Sequence, residues 1–189
     1  MNDFDFEKNF WNNCTNTFNE EVKQYSYATH MGLTVSKYNI IIEPKRILDI
    51  GGGPCSMLLK VPNLIEGKVI DPIVYPTWTR ARYEIKNIRV EYSGGENFSE
   101  RGWDEVWMYN CLQHTEDPKK IIDNCLKSAR IFRIFEWIDI PPHEGHPQML
   151  TKKLLDDLIG VDGNTKYFNG ENECFGNAYF SSVLTDERN

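Results

Sequence analysis

Arg46-Ile-Leu-Asp-Ile-Gly-Gly-Gly-Pro-Cys-Ser-Met-Leu-Leu59 decides how the rest of the chain is read. An apolar run of Ile47, Leu48 and Ile50 ends in Gly51, Gly52, Gly53 and Pro54, then resumes at Met57, Leu58 and Leu59. This pattern predicts a buried strand, a tight turn and a helix start. Glycine has no Cβ, so the turn can bring backbone close to a ligand. A helix start offers unpaired N–H groups. Asp49 adds a carboxylate at the strand's C-terminal tip, where open α/β sheets bind ligands. Together these make one half of a nucleotide site.

Candidates for the other half follow in order. Gly67-Lys-Val-Ile-Asp71-Pro72 reads as a second strand ending in an acid. Asp71 follows Gly53 by 18 residues, close to the spacing of about 20 expected for a ribose-binding acid. A carboxylate suits two adjacent hydroxyls because it accepts a hydrogen bond from each. Ile88 to Tyr92 alternates like a third strand and runs into Ser93-Gly-Gly-Glu96-Asn97. Trp103 to Tyr109 reads as the fourth strand and Ile131 to Asp139 as the fifth, the latter rich in aromatic and β-branched residues. Gly163 to Gly170 and Phe175 to Leu184 read as two final strands.

Between these lie helix signals. Thr17-Phe-Asn-Glu20 has capping-box spacing and predicts a helix over Phe18–Met31, ended by Gly32, with Phe18, Val22, Tyr25 and Met31 as its apolar side. Pro62 keeps any helix after the glycine turn short. Ile73 to Ile85 begins as a loop at Pro76, and its Arg80 and Arg82 stay unassigned. Asp117 and Pro118 are cap and first helical position of a helix carrying Ile121, Ile122, Cys125, Leu126 and Ala129. Thr151 caps a helix with Leu154, Leu155, Leu158 and Ile159.

Asp49-Ile-Gly51-Gly-Gly53-Pro-Cys55 resembles the first motif of class I S-adenosylmethionine-dependent methyltransferases, with Cys55 in place of a final glycine. Asp104 to Pro118 resembles the family's fourth motif, in which a strand, a polar loop from Asn110, His114 and Asp117-Pro118 occur in that order. The resemblance covers about residues 45–185. It implies an α/β fold: a single Rossmann-like domain over 46–189, with a mostly parallel seven-stranded sheet, an antiparallel closing strand and helices on both faces. It implies S-adenosylmethionine as cofactor, held by Asp49, Gly51, Gly52, Gly53, Asp71, Pro72, Glu96, Asn97 and Asn110. Glu96 takes the place of the acid near the adenine amine, and Asn97 can add a contact there. Residues 1–45 form a helical arm. Its aromatic residues Phe4, Phe6, Phe10 and Trp11 either pack it onto the domain or make it a lid over the ligand, the role the family's leading segment often has.

Composition bounds the function. The 189 residues carry a net charge of −7, with 40% hydrophobic, 26% charged and 13% aromatic content. That suits one soluble domain and argues against nucleic acid, which needs a basic face. No apolar stretch has the length of a membrane span, and the start, Met1 to Phe6, is acidic rather than a basic signal segment. Five cysteines without a Cys-x-x-Cys pair suit a reducing cytoplasm.

The implied reaction is in-line transfer of a methyl group from a sulfonium to an acceptor, expected to be a small molecule, by a monomer or homodimer. Alignment and exclusion of water are the protein's main contribution, up to ~7–11 kcal/mol. Aromatic faces favour a sulfonium cation by about 0.5–2 kcal/mol, and Trp11, Tyr25 and Tyr27 are candidates. For a base, His114 and His146 lead, with His143 and Glu144 nearby on strand-tip loops; the other reading is that these histidines fix loops. His143-x-x-His146 is half a metal site with no clustered ligands to complete it, so no metal is expected. Cys111 as a nucleophile lacks a basic partner beyond His114. Two other readings stand beside the leading one: a cofactor-binding regulatory module without turnover, and an NAD-dependent oxidoreductase.

Overall fold

A computed structural model describes residues 3–185, with side chains from residue 5. Met1, Asn2 and the side chain of Phe4, on which part of the reading of the start rests, lie outside the described residues.

Seven strands form the central sheet. They are β1 (Arg46–Ile50), β2 (Glu66–Ile70), β3 (Ile88–Glu91), β4 (Trp103–Tyr109), β5 (Ala129–Ile138), β6 (Asn164–Asn169) and β7 (Phe175–Leu184). Their order is β3-β2-β1-β4-β5-β7-β6. β1 pairs in parallel with both β2 and β4, and β4 in parallel with β5. β7 runs antiparallel to β5 and to β6, so one strand opposes the rest. From β1 the chain winds outward to β3, then returns to place β4 on the other side of β1. The C-terminal ends of β1 and β4 therefore flank the topological switch point, where such sheets bind ligands.

Side-chain alternation explains the two layers. Leu48 and Ile50 of β1, with Val106 and Met108 of β4, face one way and pack on α4 (Pro118–Ser128) and α5 (Lys152–Ile159) through Ile121, Ile122, Cys125, Leu155 and Ile159. Ile47, Trp107, Tyr109 and Phe135 face the other way, against Tyr27, Ala28 and Met31 of α2 (Cys14–His30) and Tyr83 of α3 (Thr77–Ile85). Asp117 Oδ1 accepts from Lys120 N, and Thr151 Oγ1 from Leu154 N, so both expected caps are made.

Several expectations are corrected. α2 starts earlier than read: Asn13 Oδ1 caps it by accepting from Thr15 N at 2.9 Å, while Thr17 lies buried inside the helix. Phe18, taken as part of the buried side, is 65% exposed; the buried face carries Thr17, Glu20, Gln24 and Tyr27. No α-helix follows the glycine turn. Two short 3₁₀ turns, Gly53–Cys55 and Met57–Lys60, take its place. As expected, residues 73–76 are a loop, after which α3 begins at Thr77; Thr34–Ser36, which the sequence left unassigned, pairs with Asn39–Ile41 as a small hairpin.

Candidate functional site

A cavity of about 560 Å³ opens at the C-terminal ends of β1, β2, β3 and β4, inside the ~300–1,000 Å³ range of small-molecule sites. Its wall is assembled from loops that each strand releases at the switch point.

The turn after β1 is shaped by close approach. Gly51 has φ +70°, and a Cβ there would stand 2.6 Å from Cys111 Cβ. At Gly52 a Cβ would meet the Asp49 carboxylate at 2.7 Å. Gly53, with φ +60°, has only the Tyr75 hydroxyl within reach of such a Cβ, at 3.8 Å. Gly51 and Gly53 line the cavity; Gly52 and Asp49 do not.

Asp49 stands behind the turn. Its fully buried carboxylate accepts from Ser56 Oγ and, at 2.5 Å, from the Tyr109 hydroxyl. Burial pushes its carboxyl up to about 7. Three of the N–H groups after the turn are already taken. Ser56 N donates to the Tyr83 hydroxyl, Met57 N to the Tyr109 hydroxyl and Leu58 N to Ser56 Oγ. The turn is thus braced from inside by hydroxyls, those of Ser56 and Tyr109 both on Asp49 Oδ2, and Asp49 stands behind the residues that line the cavity.

Asp71 does face the cavity. Oδ1 accepts from Ile73 N at 2.9 Å and Oδ2 from Gly53 N at 3.0 Å, which ties the tip of β2 to the glycine turn. Burial raises its carboxyl to about 6 against those hydrogen bonds. Pro72, Glu96 and Asn97 also line the cavity. The loop bearing Glu96 is held by Asn124 of α4, whose amide donates to the carbonyls of Gly95 and Glu96.

The loop after β4 supplies Asn110, Cys111 and His114. Asn110 adopts φ +49°, and its amide donates to Glu20 of α2 at 3.0 Å. Gln24 of α2 reaches the glycine turn, donating to the Cys55 carbonyl at 2.7 Å. The polar buried face of α2 therefore clamps both strand-tip loops. Glu136, fully buried on β5, accepts from Cys111 N and Leu112 N at 3.2 and 3.1 Å. Desolvation outweighs those bonds and lifts its carboxyl to about 8.

His114 Nδ1 lies 2.5 Å from the Gly145 carbonyl, which can only accept, so Nδ1 carries the proton. Nε2 then accepts from Gln113 Nε2 at 3.2 Å. Burial lowers the ring to about 4 and keeps it neutral. His146 stacks edge-on against His114, 4.6 Å between centroids, but does not line the cavity. Burial, with the neighbouring His114 and His143, lowers it to about 4 as well. His143 and His146 close a tight turn through reciprocal backbone bonds. Among the described residues no group of three or more ligating side chains could hold a metal.

Of the aromatic candidates, Trp11 lines the cavity, whereas Tyr27 is packed on Phe135 in the core and Tyr25 lies near Tyr38. The sequence reading missed Glu7, Glu20, Gln24, Tyr83, Tyr109 and Glu136. Only Glu136 left a signal, as the lone carboxylate within residues 134–138, otherwise apolar and aromatic.

Six carboxylate residues line the cavity, Glu7, Asp71, Glu96, Glu116, Asp117 and Glu144, against one lysine, Lys120. This donor set fits a ligand that carries hydroxyls, an amine and a cationic sulfur. It does not fit a pyrophosphate, which needs free N–H groups at a helix start; here those N–H groups are spent on Tyr83, Tyr109 and Ser56, and the N-terminus of α4 is capped by Asp117.

No protein-family model and no curated protein matches the chain. Solved structures do. The 1,6-didemethyltoxoflavin N1-methyltransferase of Burkholderia thailandensis, solved with 1,6-didemethyltoxoflavin and S-adenosylhomocysteine, superposes with a TM-score of 0.66 at 15% identity, over 97% of this chain and 87% of that one. The N-methyltransferase NodS of Bradyrhizobium japonicum, solved with S-adenosylhomocysteine, gives 0.64 at 14% identity, over 87% and 88%. The [4+2]-cyclase SpnF gives 0.56 at 15%, over 79% of this chain and 59% of that one. The likeness shows the fold: the mostly parallel, seven-stranded Rossmann-like fold of class I methyltransferases. Among the described residues no helix is long and apolar enough to cross a membrane.

Proposed function

We propose that this chain is an S-adenosylmethionine-dependent methyltransferase acting on a small-molecule acceptor. The observation that carries the reading is the pair of acids at neighbouring strand tips, Asp71 after β2 and Glu96 after β3, facing one cavity beside a glycine turn in which Gly53 N–H is held by Asp71 and the N–H groups of Ser56 and Met57 that follow are spent on tyrosine hydroxyls. That arrangement suits adenosine hydroxyls and a cationic sulfur, and opposes the pyrophosphate that an NAD-dependent oxidoreductase would hold.

Asp71 would take the ribose hydroxyls, and Glu96 with Asn97 the adenine edge. Gly51, Gly53 and Asn110 would bound the amino-acid end. The bound cofactor supplies an electrophilic methyl group. Asp49, Tyr83 and Tyr109 hold the turn, Glu20 and Gln24 hold it against the loop after β4, and Glu136 fixes the N–H groups of that loop. Trp11 on α1 (Asp3–Trp11) closes one side, which supports reading the N-terminal arm as a lid that excludes water.

Calorimetry with S-adenosylmethionine, S-adenosylhomocysteine and NAD tests this reading. Saturable binding of the first two and none of NAD is expected. No binding of either sulfur compound at millimolar concentration would remove it. The cofactor-binding module without turnover shares the same cavity; formation of S-adenosylhomocysteine across an acceptor screen separates the enzyme from it.

A further inference from the structure

Among the carboxylates lining the cavity, Glu7 alone comes from ahead of the sheet. It arrives on α1, which rests on the loop after β5 through Phe6; a Cβ at Gly145 would stand 2.5 Å from that ring. Trp11 Nε1 donates to Glu7 Oε2 at 2.9 Å. Oε1 lies 3.3 Å from His114 Nδ1, yet the single proton on that nitrogen is given to the Gly145 carbonyl at 2.5 Å. The ring is neutral, so the contact is not an ion pair.

Glu7 thus has one well-formed donor for two oxygens able to accept about four bonds. Its side chain is 15% exposed, and among the described residues no lysine or arginine is paired with it. An enclosed carboxylate without a cation is costly unless something supplies one. The cavity is where that partner can come from, and Trp11, which lines it as well, holds Glu7 Oε2 in place.

Resting on the methyltransferase reading, we infer that the acceptor is an amine and that Glu7 is the residue that binds it and takes its proton. The nitrogen lone pair forms the new N–C bond while the electron pair of the broken C–S bond stays on sulfur. The nitrogen becomes positively charged, and its proton passes to the Glu7 carboxylate and from there to water. Burial raises the proton affinity of Glu7 above that of an exposed glutamate, which suits it to this step better than His114, whose Nε2 lone pair is engaged by Gln113.

Sinefungin tests the inference, because it carries a primary amine where the cofactor carries its methylated sulfur. Its affinity and that of S-adenosylhomocysteine are measured at pH 8 on the wild type and on Glu7→Gln, which keeps an acceptor for Trp11 Nε1 and hence the docking of α1. The expected result is at least a tenfold loss for sinefungin, with S-adenosylhomocysteine within twofold of wild type and an unchanged melting temperature. Equal changes for the two compounds, or none for either, would overturn the role of Glu7 while leaving the methyltransferase reading in place. Failure of the wild type to bind either compound would instead overturn that reading, and this inference with it.

Discussion

The Tyr109 hydroxyl donates to Asp49 Oδ2 at 2.5 Å and accepts from the backbone N–H of Met57 at 2.8 Å. One side chain at the end of β4 thereby joins the acid at the tip of β1 to the far side of the glycine turn. Tyr109→Phe leaves a buried N–H without an acceptor and removes one of the two hydroxyls on Asp49. We expect a loss of about 1–3 kcal/mol, or roughly 3–9 °C in melting temperature for a domain of this size. Because Asp49 does not line the cavity, affinity for S-adenosylhomocysteine should fall less than tenfold. An unchanged melting temperature in calorimetry would refute the bracing role.

Gly51 and Gly53 share a left-handed backbone but not a neighbourhood, and alanine at each should separate stability from binding. Gly51→Ala drives a methyl group into Cys111, 2.6 Å from its Cβ, and should cost at least about 2 kcal/mol through overpacking and backbone strain. Gly53→Ala meets nothing nearer than 3.8 Å, so its stability cost should be about 1 kcal/mol from strain at positive φ. Its methyl group enters the cavity, and cofactor affinity should fall tenfold or more. Melting curves paired with calorimetry on both variants check this, and the reverse ranking would contradict the geometry.

Asp71→Asn probes the strand-tip acid directly. One amide oxygen can still accept from Ile73 N, but the amide nitrogen then faces the Gly53 N–H that Oδ2 now serves at 3.0 Å. Binding of adenosine and of S-adenosylhomocysteine should weaken together, by about 10- to 100-fold, because the loss lies at the ribose they share. A loss confined to S-adenosylhomocysteine would place Asp71 at the amino-acid end instead.

The strands were legible because burial on both faces leaves short stretches dominated by apolar residues, as in Arg46–Ile50 and Trp103–Tyr109, and the caps at Asp117 and Thr151 carry local chemistry. α2 misled because its inward face is polar up to Ser26 and turns apolar only from Tyr27. Glu20 and Gln24 are buried against strand-tip loops rather than against the core, and a search for apolar periodicity selects Phe18 instead. Glu7, Tyr83 and Tyr109 had no signal at all, since each acts on residues far away in sequence. Strand-tip acids usually face outward, which is why the sequence places Asp49 among the cofactor contacts; the hydroxyls of Ser56 and Tyr109 hold Oδ2 inward.

Glu136 should make stability fall with rising pH. Its carboxyl is raised to about 8 by burial, against about 4.3 when unfolded. The native state therefore holds the proton where the unfolded chain has lost it, and the stability this gives is present below about pH 4 and lost as pH rises through 8. Glu136→Gln keeps an acceptor for Cys111 N or Leu112 N but cannot titrate. Between pH 6 and 9 the wild type should lose about 1–3 kcal/mol more than the variant, or roughly 3–9 °C in melting temperature. Parallel pH profiles for the two proteins would show that Glu136 is already ionised at pH 6.

His114 and His146 should titrate in the opposite sense. Burial lowers both to about 4, below their value of ~6.5 in an unfolded chain. Between those values the unfolded chain binds the protons and the native state does not, so this contribution to stability is full above pH 6.5 and lost as pH falls through 4. Ring-proton NMR should show two histidines whose signals stay fixed from pH 8 to 5. The hydrogen bond from His114 Nδ1 to the Gly145 carbonyl predicts the tautomer with the proton on Nδ1, visible in nitrogen shifts. A histidine that is neutral, weakly basic and engaged at both nitrogens holds the loop after β4 against the loop after β5. His114→Gln should therefore lower the melting temperature while leaving the pH dependence of turnover unchanged; loss of an ionisation from the rate profile would restore His114 as the base.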